Sequence, residues 1–222
     1  FTSLWTHVTG EILVGESFYG HDIGDEEGSR GEEGLPGEPI SRHVCIVSSP
    51  SGEAHPMRAL FWLSFRAACE HIYITNPYFV PDPIMCEVLA ERARAGVDIR
   101  VLLPGTLIDI PLIRWASRAA WEPMLEAGMR IYEYQPAMIH QKTAVVDGKW
   151  CLVGSANMDV RSKELNQENA LGILDVGFAR ELTETFFEDL EHAREIRLDE
   201  FRRRPWHHRV RERGAALFEE QF

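Results

Sequence analysis

Six residues between positions 140 and 157 carry the chemistry of this chain: His140, Lys142, Asp147, Gly154, Ser155 and Asn157. Lys142 supplies a positive charge that can neutralise a phosphodiester. Ser155 and Asn157 can donate hydrogen bonds to its non-bridging oxygens. His140 brings an imidazole, which can serve as nucleophile or as general acid and base. His140 and Lys142 are two apart, so on a strand they project from one face. Asp147-Gly148 is a two-residue hairpin signal between apolar runs. If Val146 pairs with Lys149, paired numbers sum to 295 and Ser155 lies opposite His140, on the same face. Asn157 then follows just past the strand end. Asp147 sits at the turn, away from that cluster, where an aspartate forms turns and balances local charge.

Singly these residues mean little, because a lone histidine is usually structural and a lone lysine is usually solvated. Together at fixed spacing they occur by chance on the order of once in 10^5 chains of this length. The pattern predicts a phosphate site.

The elements that must position these residues alternate. Strands are predicted at His43–Ser48, His71–Thr75, Val97–Leu103, Met129–Tyr134, on either side of Asp147-Gly148, and at Glu168–Leu174. Helices are predicted at Pro56–Glu70, Pro83–Ala95, Pro111–Ala127 and Val176–Arg194. This rhythm predicts an α/β fold, an α/β/α sandwich on a mixed, partly parallel sheet. Residues 42–195 are read as the catalytic domain. Residues 1–14 read as a terminal helix belonging to a preceding half. Residues 15–41 are acidic and rich in Gly and Pro, and read as a linker. Residues 196–222 read as a C-terminal basic, amphipathic extension, holding Arg202-Arg203-Arg204, Trp206, Val210 and Leu217. That extension is either a packed helix with a solvated basic face or a contact with an anionic membrane surface.

The 222 residues carry a net charge of -12, which argues against a protein built mainly to grip nucleic acid. Cys45, Cys69, Cys86 and Cys151 form no Cys-x-x-Cys pair and read as reduced core residues in a reducing compartment. No stretch is long and apolar enough to span a bilayer. The chain starts at Phe1, which is expected of a piece of a longer protein, and a membrane anchor is expected in the remainder.

The run His140-x-Lys142-x4-Asp147-x6-Gly154-Ser155-x-Asn157 resembles the HKD motif of the phospholipase D superfamily. Asn76-Pro77-Tyr78-Phe79-Val80-Pro81-Asp82, Val101-Leu102-Leu103-Pro104-Gly105, Tyr132-Glu133-Tyr134-Gln135-Pro136 and Asp159-Val160-Arg161-Ser162 resemble the C-terminal half of bacterial cardiolipin synthases. Phe1–Leu13 resembles the end of the N-terminal half, and the acidic run at 20–38 looks like an insert. The resemblance implies His140, Lys142 and Asp147 as the catalytic motif, with His140, Lys142 and Asn157 on the phosphate and Ser155 beside them. It also implies that Glu168 holds the ring of His140 through its other nitrogen, and that Arg161 lines a headgroup pocket. Outside that resemblance Arg161 reads as a surface or structural ion pair.

The family reaction uses two histidines, one forming a phosphohistidine and one moving protons, and it implies no metal and no cofactor, because lysines and asparagines do the electrostatic work. No other histidine of this chain has a lysine two residues on. The missing motif is therefore expected from the N-terminal half of the same protein or from a second copy of the chain. The substrate implied is a phospholipid such as phosphatidylglycerol, at the bacterial inner membrane. A phospholipase or nuclease that uses water, and an inactive phosphate- or lipid-binding half domain, remain open alternatives.

Overall fold

Proline and aspartate set where most of the helices begin. The computed structural model describes residues 41–48, 55–159 and 166–217. Helix α1 spans Pro56–Arg66, α2 Pro83–Arg94, α3 Pro111–Ala119 and α4 Trp121–Glu126. A proline opens each of the first three, where its missing N–H leaves no bond unmade. Asp82 caps α2 by accepting from the Met85 N–H at 3.0 Å. Asp175 does the same for α5, Val176–Glu191, accepting from Phe178 N–H at 2.9 Å. The short α6, Leu198–Arg202, and α7, Trp206–Ala216, complete the helices among the described residues.

The strands are β1 Arg42–Ser48, β2 His71–Thr75, β3 Asp98–Pro104, β4 Arg130–Tyr134, β5 Thr143–Val146, β6 Trp150–Gly154, β7 Glu168–Leu174 and β8 Ala193–Ile196. They form one sheet in the order β1-β7-β6-β5-β2-β3-β4-β8. Only β2–β3 and β3–β4 are parallel, so the sheet is mixed, as expected. Period-two alternation splits its side chains. Ile72, Ile74, Val101 and Leu103 pack with Phe65 of α1, Leu89 of α2 and Trp121 of α4. Tyr73, Leu102 and Tyr132 turn to the other face and pack with Phe186 of α5. Each fully buried apolar side chain contributes about 1.5–3 kcal/mol. The result is the expected α/β/α sandwich.

The structure departs from the predicted elements in several places. The single helix expected over Pro111–Ala127 is two helices meeting at Ala120. Pro123 cannot donate to the carbonyl of Ala119 and its ring crowds that carbonyl, so α3 stops there. The helix expected to reach Arg194 ends at Glu191, and Ala193–Ile196 instead pairs with β4 as an edge strand. Of the cysteines read as core residues, only Cys151 is buried, and Cys45 and Cys69 are exposed.

The expected boundary at 195/196 falls inside β8, and the C-terminal segment packs onto the body. Buried Glu133 of β4 pairs with Arg114 and Arg118 of α3 and with Arg194 of β8. Buried Glu212 of α7 pairs with Arg118 at 2.9 Å and Arg204 at 2.8 Å. These shared arginines tie α7 to α3. The described residues accordingly belong to one unit, Ser41–Phe222. The terminal helix expected at 1–14, and all of the linker expected at 15–41 except its last residue, lie outside the described residues.

Candidate active site

Most of the candidate residues gather at one end of the sheet. Strands β2 and β3 end there, β5 and β7 begin there, and β6 ends there, because β5 runs antiparallel to β2 and β6 to both β5 and β7. His140 and Lys142 lie just before β5, Ser155 and Asn157 just after β6, and Glu168 opens β7.

The hairpin that sets this arrangement has a different register from the one expected. Asp147 and Gly148 both adopt positive φ, 51° and 60°, as a tight turn requires. Lys149 nevertheless joins the loop. Its N–H closes the turn on Val146 O at 3.3 Å, while its carbonyl accepts from Asp175 N–H at 2.9 Å. Pairing resumes with Val146 opposite Trp150, so paired numbers sum to 296. Gly154 N–H accordingly bonds Lys142 O at 3.2 Å, and Ser155 does not stand opposite His140. A one-residue slip exchanges the faces of every side chain in the pair. Gly154 itself is required by a close approach: a Cβ there would meet the Asn169 carbonyl oxygen at 2.3 Å.

Lys142 and His140 meet directly. Lys142 Nζ lies 3.1 Å from His140 Nδ1 and 3.3 Å from Nε2, and donates to the His140 carbonyl at 3.0 Å. An ammonium only donates, so the imidazole nitrogen it meets acts as acceptor. Burial lowers the pKa of Lys142 below its ordinary value, against the opposing charges of Glu168, Asp159 and Asp109.

Ser155 and Glu168 form a second group. Ser155 Oγ donates to Glu168 Oε2, and its Oγ accepts from Asn169 N–H at 3.0 Å. Asn166 Nδ2 donates to Glu168 Oε1 at 3.2 Å. Ser48, at the end of β1, accepts from Glu168 N–H at 3.2 Å and donates to Asn166 O at 3.2 Å. Among the described residues no hydrogen bond joins Glu168 to His140. Asn157 has a buried Oδ1 without a partner, an uncommon state that leaves bonding capacity unspent at the site. Arg161 lies outside the described residues.

Asp147 is not brought to this group. It lies at the opposite end of β5, where its carboxylate accepts from the backbone N–H groups of Cys69, Glu70 and His71 at 2.8–3.2 Å. Burial raises its pKa, but these three donors outweigh burial and hold it below the ordinary carboxylate value. The chain entering β2 is pinned by this residue.

Sequence reasoning missed three contributors. Asn76 Oδ1 accepts from Tyr78 N–H at 3.2 Å and Met158 N–H at 3.3 Å, stitching the turn that carries Asn157 onto the end of β2. Tyr78 stands edge-on to His140 with ring centroids 6.5 Å apart, and its hydroxyl donates to Asp109 Oδ2 at 2.6 Å. Burial, that bond and the charges of Asp109 and Asp159 push the Tyr78 pKa far up. Asn76-Pro77 signals only a strand end, and nothing local marks Asp109 as a partner of a residue 31 positions earlier.

The chain matches known proteins along most of its length. Residues 64–190 match the family model described as "Cardiolipin synthase, PLD-like domain". A cardiolipin synthase of Halalkalibacterium halodurans is 32% identical over 213 residues, 96% of this chain and 40% of that protein. One of Clostridium perfringens is 34% identical over 170 residues, 77% of this chain and 35% of that protein. The chain therefore spans about two fifths of such relatives. The solved structure of Nuc from Salmonella typhimurium, a phospholipase D family member, has the same fold, with a TM-score of 0.61 at 20% identity. That likeness covers 71% of this chain and 99% of Nuc. Phosphatidylserine synthase of Haemophilus influenzae shares the fold with a TM-score of 0.66 at 14% identity, over 82% of this chain and 48% of that one. With the motif and its sheet-end placement, the match over more than half of its length establishes that this chain belongs to the cardiolipin synthase, PLD-like domain family.

Proposed function

We propose that this chain is one half of a cardiolipin synthase-type phosphatidyltransferase. The observation that carries the reading is the Lys142–His140 contact at the sheet end, within a chain whose segments match cardiolipin synthases along their length. In this reading His140 is the general acid and base, and the histidine of a second motif is the nucleophile. That histidine attacks the phosphorus of a phosphatidylglycerol, and the P–O bond to the glycerol headgroup breaks. His140 gives its proton to the leaving alkoxide, leaving a phosphatidyl group on nitrogen. The headgroup hydroxyl of a second phosphatidylglycerol then loses its proton to His140 and attacks phosphorus. The P–N bond breaks, and cardiolipin and glycerol are the products.

Lys142 and Asn157 would hold the non-bridging oxygens, Ser155 would position Glu168 through the bond it already makes, Glu168 would orient His140, and Arg161 would meet the headgroup. Asp147 serves this machinery through the turn it pins. This chain carries one of the two motifs that the reading needs, so a second half brings the other. The partner is then the N-terminal half of the same protein or a second copy, and the setting is the bacterial inner membrane. Among the described residues no helix is long and apolar enough to cross a membrane.

The test supplies headgroup-labelled phosphatidylglycerol to the protein with both motifs and follows the lipids by mass spectrometry. Cardiolipin and free glycerol in equal amounts are expected. Phosphatidic acid alone would refute transfer and favour hydrolysis, the reading in which water takes the place of the second alcohol. The single motif of this chain keeps that second reading in view, with two identical chains each giving one histidine.

A further inference from the structure

Helix α7 is packed on one side and bare on the other. Its inner side carries Glu212 and Ala215, both 2% exposed. Ala215 clusters with Ile113 and Val80, while Glu212 pairs with Arg118. Along α3 these contacts run from Ile113 to Arg118 while along α7 they run from Ala215 back to Glu212, so the two helices are antiparallel. The C-terminal end of α7 therefore lies against the cluster that also holds Tyr78, the residue edge-on to His140.

On the outer side, Trp206 is 76% exposed, Val210 59% and Leu217 84%. At 3.6 residues per turn these three fall within about 40° of one another around the axis. Arg209 and Arg213 border the stripe on one side and His207 on the other, all exposed. The one acid of the helix, Glu212, is turned inward and held between Arg118 and Arg204. The outer surface contributed by α7 itself is thus apolar and cationic, with Glu122 of α4 beside its arginine margin and Arg209 also donating to the Arg202 carbonyl, on a protein whose net charge is -12. An apolar stripe with an indole and arginine margins is the surface that settles at the headgroup level of an anionic bilayer. The remainder of so acidic a protein is repelled by such a bilayer, so docking has to be local.

We infer that the outer face of α7 docks on an anionic phospholipid bilayer, with Trp206, Val210 and Leu217 entering the interface and Arg209 and Arg213 meeting lipid phosphates. The inference deepens the proposed function and rests on its phospholipid substrate. Docking places the lipid surface beside the end of α7 that adjoins Tyr78, one side chain from His140. Leu107 and Ile110, in the loop leading into that end of α3, are also exposed.

The experiment is co-sedimentation with vesicles of phosphatidylcholine mixed with phosphatidylglycerol, against vesicles of phosphatidylcholine alone. The wild-type protein is expected to bind the anionic vesicles at least about tenfold more tightly, since each arginine near the surface contributes about 1 kcal/mol. The triple variant Trp206→Ser, Val210→Ser, Leu217→Ser is expected to lose about tenfold or more on anionic vesicles, with its melting temperature unchanged because all three side chains are exposed. The double variant Arg209→Gln, Arg213→Gln is expected to lose most of the anionic preference. Equal binding of wild type and triple variant would overturn the inference, as would wild-type protein left in the supernatant. So would a dimer that the triple variant converts to monomer in light scattering, which would make the face an interface between copies. Binding needs no turnover. A protein that docks through α7 but makes no cardiolipin upholds the docking and defeats the transferase reading, and cardiolipin synthesis without docking does the reverse.

Discussion

Replacing Asp147 separates a structural role from a chemical one, because this motif residue lies at the wrong end of β5 for chemistry. Its carboxylate accepts from Cys69 N–H at 2.9 Å, Glu70 N–H at 2.8 Å and His71 N–H at 3.0 Å. Hydrogen bonds to a charged group are worth about 1.5–3 kcal/mol, and partial exposure here brings each to about 1 kcal/mol. Asp147→Gly removes all three and should cost about 3 kcal/mol. Asp147→Ala should cost about 1 kcal/mol more, because φ is 51° and alanine is strained there. Asp147→Asn keeps one acceptor and tolerates that φ, so about 1–2 kcal/mol is expected. At roughly 2–4 °C per kcal/mol for a domain of this size, the glycine variant should melt about 6–12 °C lower.

The pH dependence has a definite sign. The folded pKa is depressed, so the contribution is fully present above the unfolded value of about 3.9 and is lost as pH falls below it through the folded value. Acid unfolding of the asparagine variant should lack that component. Thermal unfolding by circular dichroism reads stability, and turnover measured well below the melting temperature reads chemistry. Turnover should stay within about twofold of wild type. A variant with wild-type melting and a turnover loss of about 10²-fold would show that Asp147 acts on the reaction, and the reasoning from its position would be wrong.

His140→Ala should lower turnover by about 10²- to 10⁴-fold or more while moving the melting temperature by no more than about 2 °C, since among the described residues the exposed ring bonds only Lys142. An inactive half domain that only binds lipid or phosphate would instead show no turnover, and its His140→Ala variant would keep its full biological effect. Glu133→Gln leaves Arg114 and Arg118 facing each other across a neutral amide and should cost about 3 kcal/mol by chemical denaturation. A neutral outcome there would mean that water already screens the cluster. Gly214→Ala, in the interior of α7 with nothing within 4 Å of the added Cβ, should raise stability by about 0.5–1 kcal/mol and the melting temperature by about 1–4 °C.

Much of the fold was legible because local signals and tertiary structure agree. His71–Thr75 and Glu168–Leu174 read as strands to the residue, because apolar runs there end at strong punctuation such as Asn76-Pro77. The helix starts at Pro56, Pro83 and Pro111 were equally plain, since proline favours the first helical position. The break at Ala120 was visible in Pro123 and outweighed by the apolar periodicity around it. Strand β8 was not legible, since Ala193–Ile196 has little strand character of its own and pairs because β4 offers an open edge. The register of the β5–β6 hairpin was not legible either. Asp147-Gly148 predicts the tight turn, but Lys149 enters the loop because its carbonyl is taken by Asp175, a residue far along the chain.

The same division runs through the site. By themselves, residue types and spacing point to a phosphate-handling motif and to the residues that would belong to it, and the resemblance they carry implies that one histidine of a pair is present. Those are properties of side-chain chemistry and interval, and they need no coordinates. Only the tertiary structure decided that Asp147 stands at the far end of β5, that Ser155 serves Glu168, and that Tyr78, bonded to Asp109, stands edge-on to His140. It alone showed α7 packed through its single acid with its apolar stripe left bare. Each of these depends on contacts between residues distant in the chain, where register, ion pairing and burial are set by the whole sheet and no local pattern records them.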